Sequence, residues 1–203
     1  MFFDIGANIG RWAYENMNAA DSIICVEASP TTFARLESNN NTTKITYLNY
    51  AVCDNSGEDI TFYDCTSADV LSTLNKEWLT AETSRFYNEP YTEIKCRTIT
   101  LDSLIQTYGV PSLIKIDVEG GEYECIKSLH TKVDTLCFEW ASETNHITFK
   151  CLDYLLGLGY TKFHIQRTDM YTYRPSSYTD ITTVKEELAQ SIPKQDWGMI
   201  WCT

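Results

Sequence analysis

The 203-residue sequence has no apolar run of the length that a membrane span requires, and it has no cluster of basic residues. A transmembrane helix needs about 20 consecutive apolar residues, so we expect no membrane partner. Lysine and arginine total 16 against 28 acidic residues, which gives a net charge of −12. Because a protein that binds a polyanion normally presents a basic surface, this charge argues against nucleic acid as a partner and favours a neutral substrate.

A Cys-x-x-Cys pair and a secretory leader are also missing. Most of the eight cysteines fall inside apolar strand or helix patterns, namely Cys25, Cys53, Cys96, Cys125, Cys137, Cys151 and Cys202. In a reducing compartment such residues act as small buried hydrophobic side chains. We therefore expect free thiols and a cytoplasmic protein.

Strand-like and helix-like patterns alternate along the chain, which predicts an α/β fold with a mostly parallel sheet and helices on both faces. The predicted strands are residues 2–4, 22–27, 45–52, 58–63, 92–98, 113–117, 135–140, 162–165 and 197–202. The last two are expected to form an antiparallel hairpin with a long connection. The predicted helices begin at residue 11 and span residues 31–39, 100–108, 122–130 and 150–158.

We expect residues 1–203 to form one domain, since this length suffices for one sizeable core. The first strand begins almost at Met1, without a preceding cap. This position predicts that the domain is part of a larger polypeptide whose upstream sequence covers the sheet edge.

The first strand runs into a glycine turn, Asp4-Ile5-Gly6-Ala7-Asn8-Ile9-Gly10, at the start of a helix. Glycine is favoured where the backbone turns sharply or approaches a ligand closely. The next strand ends in Glu27, 17 residues after Gly10, and an acidic residue at about this distance can accept hydrogen bonds from a ribose. The spacing Gly-x-x-x-Gly differs from the Gly-x-Gly-x-x-Gly of dinucleotide-binding enzymes and fits S-adenosylmethionine better. The alternative is a tight strand-to-helix turn without a ligand.

Asp117 ends a buried strand and is followed by Glu119 and Glu122. A charge in such a place is costly unless it belongs to a site or is paired, so Asp117 is predicted to be functional. The three carboxylates suit a divalent cation, and they equally suit a substrate hydroxyl. Glu122 is interpreted mainly as a cap of the following helix, whose N-terminus favours anions. Lys115 is expected either to be functional or to pair with a neighbouring carboxylate.

Three further features lie near the predicted strand ends. His146 follows a strand and is either a general base or a surface-loop residue. Residues 64–90 form the least regular stretch, which is either a lid or binding loop or a disordered insertion. Aromatic residues of the irregular segments suit a carbohydrate, although for each one singly a place in the core is favoured: Trp78, Phe86, Tyr87, Tyr91, Tyr171, Tyr173 and Tyr178.

Several pieces of the sequence, in order along the chain, resemble the FkbM family of S-adenosylmethionine-dependent methyltransferases. These pieces are residues 3–10, 26–30, 50–57, 71–74, 100–102 and 114–122. Glu139 matches the acid near the end of the family's fifth strand, whereas Ala28 stands where a proline often follows the acid of the second strand. The resemblance covers about residues 2–160.

The resemblance implies a Rossmann-like class I methyltransferase fold with seven strands, and O-methylation with S-adenosylmethionine as the cofactor. The cofactor-binding residues are then Asp4, Gly6, Ala7, Asn8, Gly10, Glu27, Ala28, Ala51, Val52 and Asp117. The glycine turn would cradle the methionine part, with Asp4 behind it or in contact with the amino group. The candidate catalytic residues are Asp117, Glu119 and His146, and a bound cation is a further candidate.

A hydroxyl of a sugar in a glycan is the expected acceptor, and a fused glycosyltransferase would present it at high effective concentration. Another small hydroxylated metabolite is an alternative acceptor. A catalytically inactive cofactor-binding scaffold is an alternative of a different class. An NAD-dependent dehydrogenase is a third alternative, against which the missing Gly-x-Gly-x-x-Gly argues.

Overall fold

The computed structural model describes residues 1–39, 42–65 and 67–203. Asn40 and Asn41, which with Asn39 were expected to end the helix predicted for 31–39, lie outside the described residues. The strands are β1 Phe2–Ile5, β2 Ile23–Glu27, β3 Ile45–Asn49, β4 Ala51–Val52, β5 Asp59–Asp64, β6 Thr92–Ile99, β7 Leu113–Ile116, β8 Thr135–Ala141, β9 Phe163–Arg167 and β10 Trp197–Cys202. The α-helices are α1 Arg11–Asn16, α2 Pro30–Ser38, α3 Glu77–Thr80, α4 Leu101–Tyr108, α5 Glu122–Ile126, α6 Asn145–Gly157 and α7 Ile181–Leu188.

Seven strands form one sheet in the order β3-β2-β1-β7-β8-β10-β9. The first five of these strands pair in parallel, and β10 pairs antiparallel with both β8 and β9. The predicted mostly parallel sheet with an antiparallel C-terminal hairpin is therefore confirmed. Ligands of open α/β sheets bind at the carboxyl ends of the parallel strands. Because β10 runs the other way, its first residue, Trp197, lies at that same edge.

Helices cover both faces of the sheet, as predicted. Phe3 and Ile5 of β1 belong to the largest apolar cluster, which includes buried side chains of α4, α5 and α6: Leu101, Leu104, Cys125, Ile126, Leu152 and Leu155. Successive residues of a strand point to opposite faces, so Phe2 and Asp4 point away from that cluster. On their side Trp12 of α1 packs with Leu113, Cys137, Met199 and Trp201.

A second sheet of three strands has the order β4-β6-β5. The single strand predicted for residues 45–52 is wrong, because it is divided between the two sheets. Asn49 ends β3, and its side-chain amide donates to the carbonyls of Glu27 and Ala28 at 2.8 and 3.0 Å. Ala51 then pairs with Thr98 of β6.

Two predicted helix boundaries also differ from the structure. The helix predicted for 122–130 ends at Ile126, where Ser128 donates both its N–H and its hydroxyl to the carbonyl of Cys125. The helix predicted for 150–158 begins five residues earlier, at Asn145, and ends at Gly157. The structure adds α3 and α7, which were not predicted.

All eight cysteines are buried and free, which confirms the expectation of free thiols. Burial raises the pKa of thiols such as Cys125, Cys137 and Cys202. Such thiols are packed as apolar side chains and are poor nucleophiles. Among the described residues, no helix combines the length and the apolar character that crossing a bilayer requires.

Candidate active site

A cavity of about 800 Å³ lies at the carboxyl edge of the large sheet. Its walls come from the glycine turn after β1, the ends of β2, β7 and β8, the segment of residues 69–86, and three positions nearer the C-terminus, Asp169, Tyr171 and Trp197. This volume lies within the range of roughly 300–1,000 Å³ that is usual for small-molecule sites. Gly6, Glu27, Asp117 and Glu139, which come from four different strand ends, therefore line one cavity.

The glycine turn is held against β2 and β7. The backbone N–H groups of Gly6 and Ala7 both donate to the carbonyl of Val26, at 2.9 and 3.0 Å. Gly6 has φ +73°, and a Cβ at this position would lie 1.8 Å from the carbonyl oxygen of Asp117. Only glycine allows this approach, which brings the turn directly beside the end of β7.

Glu27 connects β2 to the glycine turn. Its carboxylate accepts one hydrogen bond from the backbone N–H of Asn8 and one from that of Ser29, both at 2.9 Å. Burial raises the pKa of Glu27 to about 7, although these two hydrogen bonds act in the opposite direction. Glu27 and Ala28 both line the cavity. A carboxylate has about four lone-pair positions, so Glu27 can still accept hydrogen bonds from a ligand.

Tyr50 lines the cavity beside Ala51 and Val52, which the resemblance assigned to the cofactor. Arg35 of α2 and Asp69 form an ion pair and also line the cavity. This ion pair joins α2 to the segment of residues 69–86.

Lys115 lies between two carboxylates beneath the turn. Its ammonium is 3.2 Å from Asp4 and 3.3 Å from Asp117, and it donates to the carbonyl of Gly6 at 3.1 Å. Burial alone would lower the pKa of Lys115, but the carboxylates of Asp117 and Asp4 raise it above its usual value. The structure therefore agrees with the predicted pairing of Lys115.

Asp4 is completely buried behind the turn and does not line the cavity. The suggestion that Asp4 contacts the cofactor's amino group is therefore corrected: Asp4 orders the turn through Lys115. Gly10 also does not line the cavity, whereas Gly6, Ala7 and Asn8 do. Gly10 instead closes the turn, since its N–H donates to the carbonyl of Ala7 at 2.8 Å.

Three carboxylates converge in the middle of the cavity. Oxygens of Asp117, Glu119 and Glu139 lie within 4.8 Å of one another. Burial, followed by the neighbouring carboxylates, raises the pKa values of Glu119 and Glu139 well above the usual range. The predicted trio of Asp117, Glu119 and Glu122 is therefore corrected, because Glu139 takes the third place.

Glu122 faces the backbone of its own loop. It accepts hydrogen bonds from the N–H groups of Val118 and Gly120, both at 3.2 Å. These contacts agree with the capping role predicted for Glu122 and leave the cavity to the other three carboxylates.

The segment predicted as an irregular loop contains α3 and lies over the carboxylates. Trp78 donates its indole N–H to Glu119 at 3.0 Å, and the Thr73 hydroxyl donates to the carbonyl of Glu119. Arg85 forms two hydrogen bonds of 2.5 Å with Glu143. Residues 69–86, the cover segment, are thus bound both to the acidic cluster of Asp117, Glu119 and Glu139 and to the residues after β8.

His146 does not line this cavity. It is exposed in the first turn of α6 and lines a separate depression of about 380 Å³. The structure therefore does not bring His146 together with Asp117 and Glu119, because the early start of α6 places it outside this cavity.

Aromatic side chains line the cavity at Trp12, Trp78, Phe86, Tyr171 and Trp197. Four of the aromatic residues proposed from the sequence do not line it: Tyr87, Tyr91, Tyr173 and Tyr178. Sequence reasoning did not assign Asp169 or Trp197 to the site. Only their positions in the predicted strand pattern could have assigned them to the site, since Asp169 follows β9 and Trp197 begins an antiparallel neighbour of β8.

Residues 4–162 match the model of the methyltransferase FkbM domain. A crystal structure of methyltransferase FkbM from Methylobacillus flagellatus KT has a TM-score of 0.56 at 13% identity, with 100% of this chain and 43% of that chain covered. A precorrin-6y C5,15-methyltransferase from Geobacter metallireducens GS-15 has a TM-score of 0.51 at 11% identity, with 100% and 78% covered. These two structures share the fold of this chain, which spans less than half the length of the first.

No curated protein matches the chain. The matched residues 4–162 make up well over half of the 203 residues. The chain therefore belongs to the FkbM family of S-adenosylmethionine-dependent methyltransferases.

Proposed function

We propose that this chain transfers the methyl group of S-adenosylmethionine to a hydroxyl group of a sugar. The observation that carries the proposal is the single cavity that joins the glycine turn and Glu27 to the acidic cluster. One half of this cavity suits a nucleoside that carries an amino acid. The other half has carboxylates and aromatic rings that suit a hydroxylated acceptor.

Two features of the first half fit the cofactor. Glu27 accepts hydrogen bonds from the two ribose hydroxyls at its remaining lone pairs. The turn at Gly6 brings the backbone close enough to hold the methionine part without a Cβ in the way. Tyr50 and Val52 on one side and the cover segment on the other would hold the adenine.

The cofactor supplies an electrophilic methyl group on a sulfonium. The protein positions the acceptor hydroxyl in line with that methyl and takes up its proton, since a neutral hydroxyl is a weak nucleophile. Asp117 is the proton acceptor in this proposal, and Lys115 at 3.3 Å orients it. Burial and the neighbouring carboxylates raise the pKa values of Glu119 and Glu139, which favours their protonated forms, and in this proposal they donate hydrogen bonds to neighbouring oxygens of the sugar.

Two measurements test the proposal. Calorimetric titration with S-adenosylhomocysteine and with NAD should show binding of the former alone, which separates a methyltransferase from a dehydrogenase. Incubation with labelled S-adenosylmethionine and a panel of oligosaccharides, small phenols and peptides should label a sugar. Label on phenols or peptides alone would contradict the sugar proposal, and binding without any transfer would favour the scaffold alternative.

We also propose that a glycosyltransferase fused to this domain supplies the acceptor. A tethered enzyme would hold each new sugar hydroxyl at high effective concentration beside the methyl donor. Isolation of the intact polypeptide and a test for combined sugar and methyl transfer would check this. The cytoplasmic location stays a prediction.

A further inference from the structure

We infer that Asp169, Tyr171 and Trp197 form the wall that recognises the acceptor, and that this acceptor is a hydroxyl-rich ring without a negative charge. The inference rests on the proposed function, because it takes the glycine-turn half of the cavity as the cofactor site. None of the three residues falls within residues 4–162 that match the family model. The part of the cavity outside that match is therefore where this chain sets its own specificity.

The order of the strands separates this wall from the cofactor side. Cofactor residues follow β1 and β2, and the acidic cluster follows β7 and lies on β8. The next strands in the sheet are β10 and β9. Trp197 is the first residue of β10, and Asp169 comes two residues after β9 ends at Arg167. Both line the cavity, and Trp197 pairs with Ala141 at the end of β8.

The segment after β9 is fixed to the sheet by β10. The N–H of Thr168 donates to the carbonyl of Trp197 at 2.9 Å. A Cβ on Gly198 would lie 2.1 Å from the carbonyl oxygen of Gln166, and Gly198 has φ +155°. The missing side chain at Gly198 thus lets the two strands approach closely enough to place Asp169 beside Trp197.

A second anchor joins the segment to α1. Asn16 is 2% exposed, and its amide donates to the carbonyls of Trp12 at 2.8 Å and of Tyr171 at 3.0 Å. The oxygen of the same amide accepts from Arg174 at 2.5 Å. A buried amide with these partners holds the segment in one arrangement, so the wall exists before any ligand binds.

The chemistry of the wall indicates the acceptor. Trp197 is 36% exposed and, with Tyr171, offers aromatic faces on which the C–H face of a sugar ring can pack. Burial, followed by the charge of Asp117, raises the pKa of Asp169 to about 6, so Asp169 still carries a negative charge at pH 7.5. It can accept hydrogen bonds from hydroxyls. With Asp117 nearby, it would repel an anionic acceptor.

The test measures sugar binding separately from methyl transfer. Saturation-transfer NMR on the protein saturated with S-adenosylhomocysteine would use the methyl glycosides of a neutral hexose, an amino hexose and a hexuronic acid. The wild-type protein should bind the first two and not the third. Trp197→Ala and Asp169→Asn should each weaken binding of the neutral glycosides about tenfold, with affinity for S-adenosylhomocysteine unchanged within twofold.

Asp169→Asn has a second expected effect that a loss of structure would not produce, namely a gain in binding of the hexuronic acid. Glu186→Gln and Tyr14→Ala are the matched controls, because both side chains are exposed and line neither cavity. If Trp197→Ala fails to fold, Trp197→Phe replaces it, with a smaller loss expected.

Unchanged glycoside binding in folded Trp197 and Asp169 variants would overturn the inference, and so would a wild-type protein that binds none of the glycosides. Binding that depends on Trp197 and Asp169 but occurs without label transfer from S-adenosylmethionine would support the inference and contradict the proposed function.

Discussion

The carboxylate of Glu27 accepts a hydrogen bond of 2.9 Å from the backbone N–H of Asn8, which lies 19 residues earlier in the glycine turn. The other oxygen accepts from the N–H of Ser29, which caps α2. Glu27 therefore orders both polypeptide segments that border the cofactor half of the cavity. Its role in binding is combined with a role in holding the site's shape.

Glu27→Ala should weaken binding of S-adenosylhomocysteine. A hydrogen bond to a charged acceptor contributes about 1.5–3 kcal/mol, so its loss corresponds to a rise in Kd of roughly 10- to 150-fold. Calorimetric titration of the folded variant measures this change. Glu37→Ala serves as the control, since Glu37 is exposed on α2 and does not line the cavity. Unchanged affinity in the Glu27 variant would remove the ribose assignment.

Asp117→Asn should abolish most methyl transfer while the protein stays folded. The amide keeps the size of the side chain but cannot take up the acceptor's proton, and general-base assistance contributes about 100-fold or more. We expect kcat to fall by at least that factor, with the affinity for S-adenosylhomocysteine nearly unchanged. The melting temperature should also fall, because the amide no longer offsets the charge of Lys115 at 3.3 Å. Asp21→Asn, at an exposed position, is the matched control. Full activity of Asp117→Asn would show that another group takes the proton.

Sequence patterns were sufficient for the large sheet because its inner strands are short apolar runs bounded by turn residues, as at residues 113–116. Sequence patterns were insufficient where tertiary contacts decide at which residue a strand ends or a helix begins. The chain leaves the sheet after Asn49 because the side-chain amide of Asn49 donates a hydrogen bond to the carbonyl of Glu27 at the end of β2. The first turn of α6 contains β-branched and polar residues of weak helix propensity, so local preference does not predict it. It is stabilised by tertiary contacts, since the side-chain amide of Asn145 donates to the carbonyl of Leu188 and to the hydroxyl of Ser191.

The site was predictable to the extent that it follows from parallel strand ends. Glu27 and Asp117 end neighbouring parallel strands or follow them directly, so their convergence needs only the strand order of an α/β fold. Asp169 and Trp197 could not be assigned in this way. Their place in the cavity depends on β10 being inserted antiparallel between β8 and β9, which local periodicity does not encode.

Methyl transfer should survive exhaustive chelation. The carboxylates of Asp117, Glu119 and Glu139 are close enough to hold a divalent cation. The ammonium of Lys115 already offsets the charge of Asp117, and the raised pKa values of the two glutamates favour their neutral forms over the charged forms that bind a cation. Activity with labelled S-adenosylmethionine should therefore be equal before and after dialysis against EDTA. A loss that added Mg²⁺ restores would instead assign a catalytic cation to the cluster.

Glu139→Gln should stabilise the protein increasingly as the pH rises. Burial and the neighbouring carboxylates raise the pKa of Glu139 in the folded protein, so the native state holds its proton more tightly than the unfolded chain does. The stabilisation that this tighter proton binding gives is fully present below the pKa of Glu139 in the unfolded chain, about 4.5, and is lost as the pH rises through its pKa in the folded protein. Glutamine does not titrate and avoids the loss.

Urea unfolding at several pH values between 4.5 and 9 measures this effect. The difference in unfolding free energy between Glu139→Gln and the wild type should grow with pH, by at most about 1.4 kcal/mol per unit. Glu186→Gln should show a difference that does not depend on pH, because its side chain is exposed. A pH-independent difference for Glu139→Gln would mean that Glu139 is ionised throughout this range.

Gly6→Ala and Gly57→Ala separate backbone strain from steric conflict. Both glycines have positive φ, +73° and +83°, so alanine is strained at either position. A Cβ on Gly57 has no neighbour within 4 Å, whereas one on Gly6 would lie 1.8 Å from the carbonyl oxygen of Asp117. Gly57→Ala should therefore cost only about 1–2 kcal/mol of unfolding free energy, the cost of the left-handed conformation.

Gly6→Ala should cost clearly more, since it must also displace the end of β7 or the turn itself. Any folded Gly6→Ala protein should bind S-adenosylhomocysteine weakly, because the shift moves the Asn8 N–H away from Glu27 and Lys115 away from Gly6. Urea unfolding and calorimetric titration of the two variants side by side measure both effects. Equal stability and equal affinity in the two variants would contradict the close packing of the turn on β7, on which the geometry of the whole cofactor half depends.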